Sequence, residues 1–300
     1  RDDAPGGARA PLPRGGVVVN APSVLVPEPV ARPWGGVGLP ALGLERGPHE
    51  RVGEWWLPTD DFPLLVKIID ARENLSIQLH PDDERARAAG LPNGKTEAWY
   101  VLDVAPDARL LVGLADGVEA AEFLDRADAG DDVSPLLRSI RPRPGDVVFV
   151  PPGTVHAILA GVVVLEAQQV SDTTYRVFDW NRRPARALHL AEARLAVRDD
   201  PAAGVVPPSP ETTDGSLRHR VRLDCPKFSL ADLVATGPGR VPLGAKAEMW
   251  TARAGAARVA WPGGEAPLAP GRFLLLPRGV DAVDVFPEEP TFHAVRIREP

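Results

Sequence analysis

The sequence contains little cysteine, lysine, tyrosine or methionine, and the scarcity of cysteine and of long apolar runs excludes several classes of protein. Cys225 is the single cysteine, so the chain forms no internal disulfide and no cysteine-rich metal site. This composition fits a reducing compartment, and we expect a cytoplasmic protein. No run approaches the roughly 18 apolar residues that cross a bilayer, which argues against a membrane-spanning protein.

Basic residues are also fewer than acidic ones. The 300 residues carry a net charge of −7, with 44% hydrophobic and 25% charged residues, as is ordinary for a globular chain. This balance argues against nucleic acid or an anionic membrane as the main partner, and an anionic substrate would need a local cationic pocket. Lysine occurs only at Lys67, Lys95, Lys227 and Lys246. A lysine beside other candidate site residues is therefore informative.

One stretch, Asn74 to Pro81, alternates apolar and polar residues at the period of a β-strand. Its polar members include Gln78 and His80. Two later stretches carry polar pairs at the same spacing, and these contain Glu97 and His156. If the strands surround one cavity, two imidazoles, a carboxylate and an amide oxygen converge there. The sequence therefore predicts a four-ligand site for a divalent metal, formed by Gln78, His80, Glu97 and His156.

Short strands joined by Pro-Gly turns predict a mainly β protein built as a double-stranded β-helix, or jelly-roll, barrel. The segment 144–153 aligns without gaps on 270–279, and the same register places Ala282 opposite His156. The second half therefore reads as a copy of the first that lacks a metal histidine.

We expect four regions along the chain. Residues 1–16 read as a flexible arm, and their lack of both an apolar signal core and an initial Met suggests a trimmed or partial sequence. A first barrel covers 17–200 with a helical insertion near 117–140, a proline-rich linker covers 201–215, and a degenerate barrel without a metal site covers 216–300. Helical spacing also predicts a helix over 188–197.

A second chemical stretch runs from Ser171 to Arg182. At strand spacing Asp172, Thr174 and Arg176 share one face. An ion pair between Asp172 and Arg176 that holds strands in register and a catalytic role are equally good readings of this spacing.

Taken together, these motifs resemble those of the short bacterial type I phosphomannose isomerases. The resemblance runs from about residue 34 to 183 and is carried by Trp34-Gly35-Gly36, Ser76-Ile77-Gln78-Leu79-His80-Pro81, Gly94-Lys95-Thr96-Glu97, Pro152-Gly153-Thr154-Val155-His156-Ala157 and Ser171-Asp172-Thr173-Thr174-Tyr175-Arg176. It implies two cupin barrels, one zinc ion in the first, and reversible conversion of mannose 6-phosphate to fructose 6-phosphate through a cis-enediol.

Carried over by position, the resemblance assigns the zinc to the four residues named above. It assigns catalysis to Lys95, Asp172 and Arg176, and the substrate phosphate to Ser76, with Arg182 as a further phosphate candidate. Lys95 is the expected proton-transfer residue, with Asp172 and a metal-bound water as competitors. Two departures from the family are visible: Gly94 stands where long-form members carry a histidine, and the bulky Trp55, where a small residue is usual, is expected to alter the pocket rim.

Three alternatives stay open on the sequence. The chain could be a sugar-phosphate-binding or regulatory cupin without activity, an isomerase of another aldose phosphate, or an iron-dependent cupin oxygenase. The amide ligand and Lys95 argue against the oxygenase, and the presence of both Lys95 and Arg176 argues against the inert binder. A small sugar phosphate is the expected partner, and the sequence does not reveal the oligomeric state.

Overall fold

The computed structural model describes residues 21–57, 59–200 and 202–300, so the arm predicted at 1–16 lies outside the described residues. The first part of the chain contains fourteen strands, which are β1 (Ser23–Leu25), β2 (Glu28–Val30), β3 (Gly38–Leu39), β4 (Leu44–Glu45), β5 (Glu54–Leu57), β6 (Leu64–Ala71), β7 (Ile77–Leu79), β8 (Glu97–Val104), β9 (Leu110–Leu114), β10 (Leu137–Ile140), β11 (Val147–Val150), β12 (His156–Ile158), β13 (Val162–Gln169) and β14 (Tyr175–Phe178).

The last third of the chain is strand and turn. Its elements are β15 (Gly204–Val205), β16 (Thr212–Asp214), β17 (Leu217–Cys225), β18 (Phe228–Ala235), β19 (Gly239–Pro242), β20 (Glu248–Ala254), β21 (Ala257–Trp261), β22 (Gly264–Leu268), β23 (Phe273–Leu276), β24 (Ala282–Pro287) and β25 (Phe292–Arg298). The helices are α1 (Asp83–Ala88), α2 (Ala120–Asp128) and α3 (Leu190–Ala196), with short 3-10 turns at Pro40–Leu42 and Ser134–Leu136.

The strands form four main antiparallel sheets. Sheet 1 has the order β15-β11-β8-β13-β6-β5-β2, sheet 2 the order β10-β9-β12-β7-β14, sheet 3 the order β1-β23-β20-β25-β18-β17-β16, and sheet 4 the order β19-β24-β21-β22. Sheets 1 and 2 make up the first half and sheets 3 and 4 the second. The fold is therefore mainly β with few helices, as predicted.

Four buried layers hold the sheets together. One apolar cluster fills the first half between sheets 1 and 2, and another joins sheet 1 to sheet 3 across the two halves. A third cluster packs α2 and α3 onto the outer face of sheet 2, and a fourth fills the interior between sheets 3 and 4. The alternation of buried side chains along β8 explains how one strand serves two layers, because Trp99 faces the first interior and Tyr100 faces sheet 3.

The helices follow the sequence with one difference. Asp82 caps α1 by accepting a hydrogen bond from the backbone N–H of Arg85, and α2 and α3 lie where helical spacing predicts them. The second part of the predicted helical insertion near 117–140 is instead a 3-10 turn followed by β10, which pairs with β9. A single helical turn gains little by itself, so the segment pairs with the free edge of β9. No described helix is long and apolar enough to cross a membrane.

The region predicted as a linker at 201–215 contains two short strands. The predicted linker contributes β15 to sheet 1 and β16 to sheet 3, and β1 pairs with β23 of the second half. The two halves are thus tied together by exchanged edge strands, and the proposed boundary between them stays a prediction.

The repeat seen in the sequence has a structural counterpart. Glu97 pairs with Val150 between β8 and β11, and Glu248 pairs with Leu276 between β20 and β23. Because Val150 and Leu276 are equivalent in the repeat, Glu248 is the counterpart of Glu97. Its environment differs: the carboxylate is fully buried, both of its oxygens accept hydrogen bonds from Arg296, and Arg298 donates two more to one of them.

Burial raises the pKa of Glu248, but Arg296 and Arg298 outweigh burial and hold that pKa below its ordinary value. The variant Glu248→Gln should therefore lose about 3–5 kcal/mol of unfolding free energy at pH 7, since it leaves the buried guanidinium of Arg296 and the partly exposed one of Arg298 without a carboxylate. The wild-type stability that depends on this group is present above pH 4.5, the ordinary pKa of the carboxyl, and is lost as the pH falls through the lower folded-state value. Urea unfolding between pH 3 and pH 7 measures both effects.

The control is Asp284→Asn, which removes a carboxylate from the exposed pair with Arg240. We expect it to cost less than about 1 kcal/mol. Equal losses in the two variants would contradict the assigned importance of Glu248.

Candidate metal centre and active site

Sheet 2 presents three polar side chains in a row on its inner face. The backbone register places Gln78 of β7 directly opposite His156 of β12 on one side and Arg176 of β14 on the other. Directly opposed residues of antiparallel strands point to the same face, so the three side chains are neighbours. His80 follows two residues after Gln78 and therefore shares its face.

Sheet 1 supplies the carboxylate from across the interior. Glu97 begins β8, and its Oε1 lies 3.2 Å from Nε2 of His156 while its Oε2 lies 3.4 Å from Nε2 of His80. All three residues are 1% exposed, and their candidate ligand atoms lie within 4.8 Å of one another. The structure thus brings together three of the four predicted metal ligands.

The backbone determines which imidazole nitrogens face the carboxylate. Nδ1 of His80 is 2.7 Å from the carbonyl oxygen of Thr173, and Nδ1 of His156 is 2.9 Å from that of Thr154. In neutral imidazoles each Nδ1–H therefore donates to a carbonyl, and each Nε2 presents a lone pair toward Glu97. Carbonyl bonds of this kind orient metal-binding histidines.

The pKa shifts agree with neutral histidines beside a charged carboxylate. Burial lowers the pKa of His80 to about 3, and burial also lowers the pKa of His156. Burial raises the pKa of Glu97, but Lys95 and the other side chains around the carboxylate together outweigh burial and hold that pKa well below its usual range. Lone pairs of two neutral imidazoles thus face an ionised carboxylate, which is a set of acceptors that fits a cation.

Lys95 is the cation that lies nearest to the cluster of His80, Glu97 and His156. Its Nζ lies 3.1 Å from Nε2 of His80 and 2.5 Å from Oε2 of Glu97. Burial opposes the charge on Lys95, yet the carboxylate of Glu97 raises its pKa, and Glu166 and Asp172 add to that shift. Lys95 is therefore an ammonium ion in direct contact with the candidate ligands.

Gln78, which is partly exposed, and Ser76, which is buried, lie beside this cluster. The amide nitrogen of Gln78 is 3.5 Å from Nε2 of His156, and its Oε1 accepts a hydrogen bond from the Ser76 hydroxyl at 3.0 Å. The two ends of an amide are exchanged by rotation about one bond. With the amide turned over, the oxygen of Gln78 would join the three ligand atoms.

The remaining sequence candidates are arranged differently. Strand β14 begins at Tyr175, so Asp172 lies in the preceding loop, exposed but within electrostatic reach of Lys95. The shared strand face predicted for Asp172 and Arg176 is therefore wrong. The guanidinium of Arg176 donates to the carbonyl of Ala187 at 2.7 Å, and its backbone N–H donates to Nδ1 of His189.

Arg182 is engaged away from the cluster. Its guanidinium donates to Asp179 at 2.6 Å and to the carbonyl of Asn74 at 2.7 Å. Arg186 also contacts Asp179, so this carboxylate joins two arginines in the turn after β14. A phosphate bound by Arg182 would have to compete with these hydrogen bonds for its guanidinium.

Sequence reasoning missed three polar residues in the same interior. Lys67 lies 3.3 Å from Glu166. Burial raises the pKa of Glu166 and Glu97 adds to the rise, while Lys95 and Lys67 oppose it. Gln168 is fully buried, and its Oε1 has no hydrogen-bond partner among the described residues. The signal in the sequence that could have identified these residues was a charged residue inside an otherwise apolar strand, as at Lys67 in β6 and Glu166 in β13.

The structure shows the surroundings of Gly94 and Trp55, the two positions at which the sequence departs from the family. A Cβ on Gly94 would lie 2.5 to 2.7 Å from backbone atoms of Pro81, Asp82 and Asp83, so this position has no room for a side chain. Trp55 is buried in the cluster between sheets 1 and 3 and donates to the carbonyl of Glu45. The expectation that Trp55 alters the pocket rim is therefore wrong, because β5 turns it away from the interior.

Fold and site together define a cupin with a candidate metal centre in its first half. Residues 48–105 match the family model for the catalytic domain of type I phosphomannose isomerase. The chain is 47% identical over 137 residues to the probable mannose-6-phosphate isomerase GmuF of Bacillus subtilis, covering 44% of this chain and 43% of that protein. It is 36% identical over 204 residues to the mannose-6-phosphate isomerase ManA of the same organism, covering 54% and 63%.

The structure of a mannose 6-phosphate isomerase from Bacillus subtilis superposes with a TM-score of 0.81 at 27% identity, covering 92% of this chain and 99% of that one. The chain is therefore a relative of the type I phosphomannose isomerases, as its motifs indicated. The segments matched in the two curated relatives span less than two thirds of their length.

Replacing the carboxylate should remove the metal. We expect Glu97→Ala to lower zinc bound after dialysis by at least about tenfold, because loss of one ligand weakens binding strongly and leaves Lys95 unpaired. Elemental analysis of the purified protein measures the bound metal, and circular dichroism checks the fold. His49→Ala, which removes a histidine outside the cluster, is the matched control, and full zinc retention by Glu97→Ala would exclude Glu97 as a ligand.

Proposed function

We propose that the chain is an aldose–ketose isomerase that interconverts mannose 6-phosphate and fructose 6-phosphate with zinc as cofactor. The observation that carries this proposal is the buried cluster of His80, Glu97 and His156 with the ammonium of Lys95 against it. Its occurrence in a relative of the type I phosphomannose isomerases supports the substrate.

His80, Glu97 and His156 would hold the zinc ion, with the amide oxygen of Gln78 as fourth ligand. Nitrogen and carboxylate oxygen donors suit zinc, and the carbonyl bonds to both Nδ1 atoms keep the two imidazoles oriented for it. A zinc ion bound there supplies Lewis acidity toward the sugar oxygens and positive charge that stabilises an enediolate.

The proton transfer needs a group that reaches both C1 and C2 of the open-chain sugar. In the proposed reaction a proton leaves C2, a cis-enediol forms, and a proton returns to C1. Lys95 is our candidate for this transfer, because its Nζ lies inside the cluster. The carboxylates around Lys95 favour its ammonium form, which can return a proton to C1 but cannot accept one from C2. A zinc ion bound beside Lys95 would oppose that preference and make the neutral amine accessible. Asp172, within electrostatic reach of Lys95, is the competing base.

Charge that develops on O1 and O2 needs a permanent cation. Arg176 suits this role because its guanidinium remains ionised at any working pH, and because it is the cross-strand neighbour of Gln78. Ser76, which donates to Gln78, is the candidate for contact with the substrate phosphate, and Arg182 is a more remote one. Burial of the histidines and Glu97 keeps bulk water from the reacting centre.

The expected setting of the enzyme follows from the same chemistry. A small sugar phosphate is the proposed partner, and the chain's net charge of −7 gives no general attraction to nucleic acid or to anionic membranes. The single cysteine is partly buried, which is compatible with the cytoplasmic location that we propose.

The first test is formation of fructose 6-phosphate from mannose 6-phosphate by zinc-loaded protein, with and without a chelator. We expect turnover that the chelator abolishes and added zinc restores. A folded, zinc-bound protein without turnover would overturn the proposed activity and favour binding alone, and turnover of another aldose phosphate instead would reassign the substrate.

Variants separate the roles within the site. Lys95→Met should lower kcat by about 10²- to 10⁴-fold if Lys95 transfers the proton. Arg176→Ala should lower kcat with bound zinc unchanged, while loss of zinc in that variant would make Arg176 structural. Arg240→Gln, on the outer edge of the second half, is the control for loss of one arginine.

A further inference from the structure

A cavity of about 300 Å³ lies at the edge of the contact between the two halves, away from the candidate metal centre. Its floor is formed by five neighbouring parts of sheet 3, from β20 across to the start of β16. Its cover is the turn at residues 143–146, which precedes β11 in the first half. The lining residues used below are Arg143, Arg218, Arg220, Arg222, Asp232 and Arg253.

The composition of this lining is unusual for a chain with a net charge of −7. Five arginines line the cavity against three carboxylates, which are Asp146, Glu211 and Asp232. Three of the arginines alternate along β17, so their side chains share one face at a spacing of about 7 Å. The cavity therefore has a net positive charge even with every carboxylate ionised.

The three carboxylates do not neutralise the excess positive charge of the five arginines. Asp232 accepts hydrogen bonds from Tyr100, Arg222 and His293, so its oxygens are fully engaged. Burial raises its pKa, but these donors outweigh burial and lower it, so the group is ionised. Glu211 is shared between Arg218 at 3.5 Å and Arg220 at 3.2 Å.

Several donors around the cavity have capacity left. Nε of Arg220 and Nε of Arg222 are buried without a hydrogen-bond partner within the described part of the chain. Arg253 contacts Nδ1 of His293 and the ring of Tyr100, and neither group carries a negative charge. Arg143 makes no side-chain hydrogen bond or ion pair with any described residue. Unsatisfied buried donors are costly, which favours an anion in the cavity.

A purely structural reading of the arginines explains only part of this pattern. Arg222 does connect the two halves, because it bonds Asp232 and the carbonyl of Gly145. Arg143 and Arg253 have no such carboxylate, although both line the cavity. Guanidinium forks bind phosphate oxygens in pairs, which suits a ligand of that class.

We propose that this cavity binds a small phosphate-class anion with two charged groups, for which pyrophosphate is the simplest probe. The arginines of β17 and Arg253 of β20 bind from the floor, while Arg143 binds from the cover. The proposal stands apart from the isomerase activity, because it uses none of the residues of the candidate metal centre.

The experiment is calorimetric titration of the full chain with pyrophosphate and with inorganic phosphate at low salt, before and after chelator treatment. We expect pyrophosphate to bind more tightly than phosphate, with an affinity that survives the chelator and falls as salt increases. Equal affinity for the two anions would exclude a ligand with two charged groups. Absence of pyrophosphate binding at millimolar concentration, or its loss on chelation alone, would overturn the site.

The double variant Arg143→Gln/Arg253→Gln should weaken pyrophosphate binding by at least about tenfold. The matched control is Arg240→Gln/Arg258→Gln. It removes two arginines of the second half that lie outside the cavity and pair with Asp284 and Glu265. We expect the control to bind like the wild type, and an equal loss in both would mean general charge rather than a site. The single variant Arg143→Gln, in an exposed turn, keeps the test valid if the double variant unfolds.

Discussion

The first half of the molecule depends on one buried carboxylate. Glu97 is 1% exposed, and ionisation there requires compensating groups on every side. The two imidazoles that face it offer lone pairs rather than protons, because their Nδ1–H groups are committed to backbone carbonyls. Lys95 alone supplies positive charge in direct contact. The interior thus collects more acceptors than its one ammonium can satisfy, which makes it a candidate metal centre.

The second half shows how the same framework becomes inert. Glu248 has the backbone register of Glu97, and each is followed two residues later by a buried Trp. On the neighbouring strand, however, Gln168 pairs with Glu97 while Arg298 pairs with Glu248. The second carboxylate is therefore neutralised within the protein, and the rest of that interior is apolar. Satisfying the charge internally removes the demand for a cation and yields a structural core.

Periodic and local features of the chain could be predicted from the sequence, and features that depend on distant strands could not. Alternation around Gln78 and His80 and the Pro-Gly turns predicted the β architecture and the residues that meet in the first interior. The strand face of Asp172 was mispredicted because the loop before Tyr175 interrupts the period of two. The polar roles of Lys67 and Glu166 were missed, because one charged residue in an apolar strand carries no period of its own.

The arginine-lined cavity shows the same limit most clearly. Its walls come from a turn near residue 143 and from strands that begin more than sixty residues later, so no short window of sequence contains it. Tyr100 links the cavity to the metal-centre strand, since it lies on β8 three residues after Glu97 and donates to Asp232 across the contact between the halves. One strand thereby presents Glu97 to one interior and Tyr100 to the wall of the other site. An anion that alters the position of Asp232 would act on the strand that carries the candidate ligand, so the two sites share a mechanical element although they share no residue.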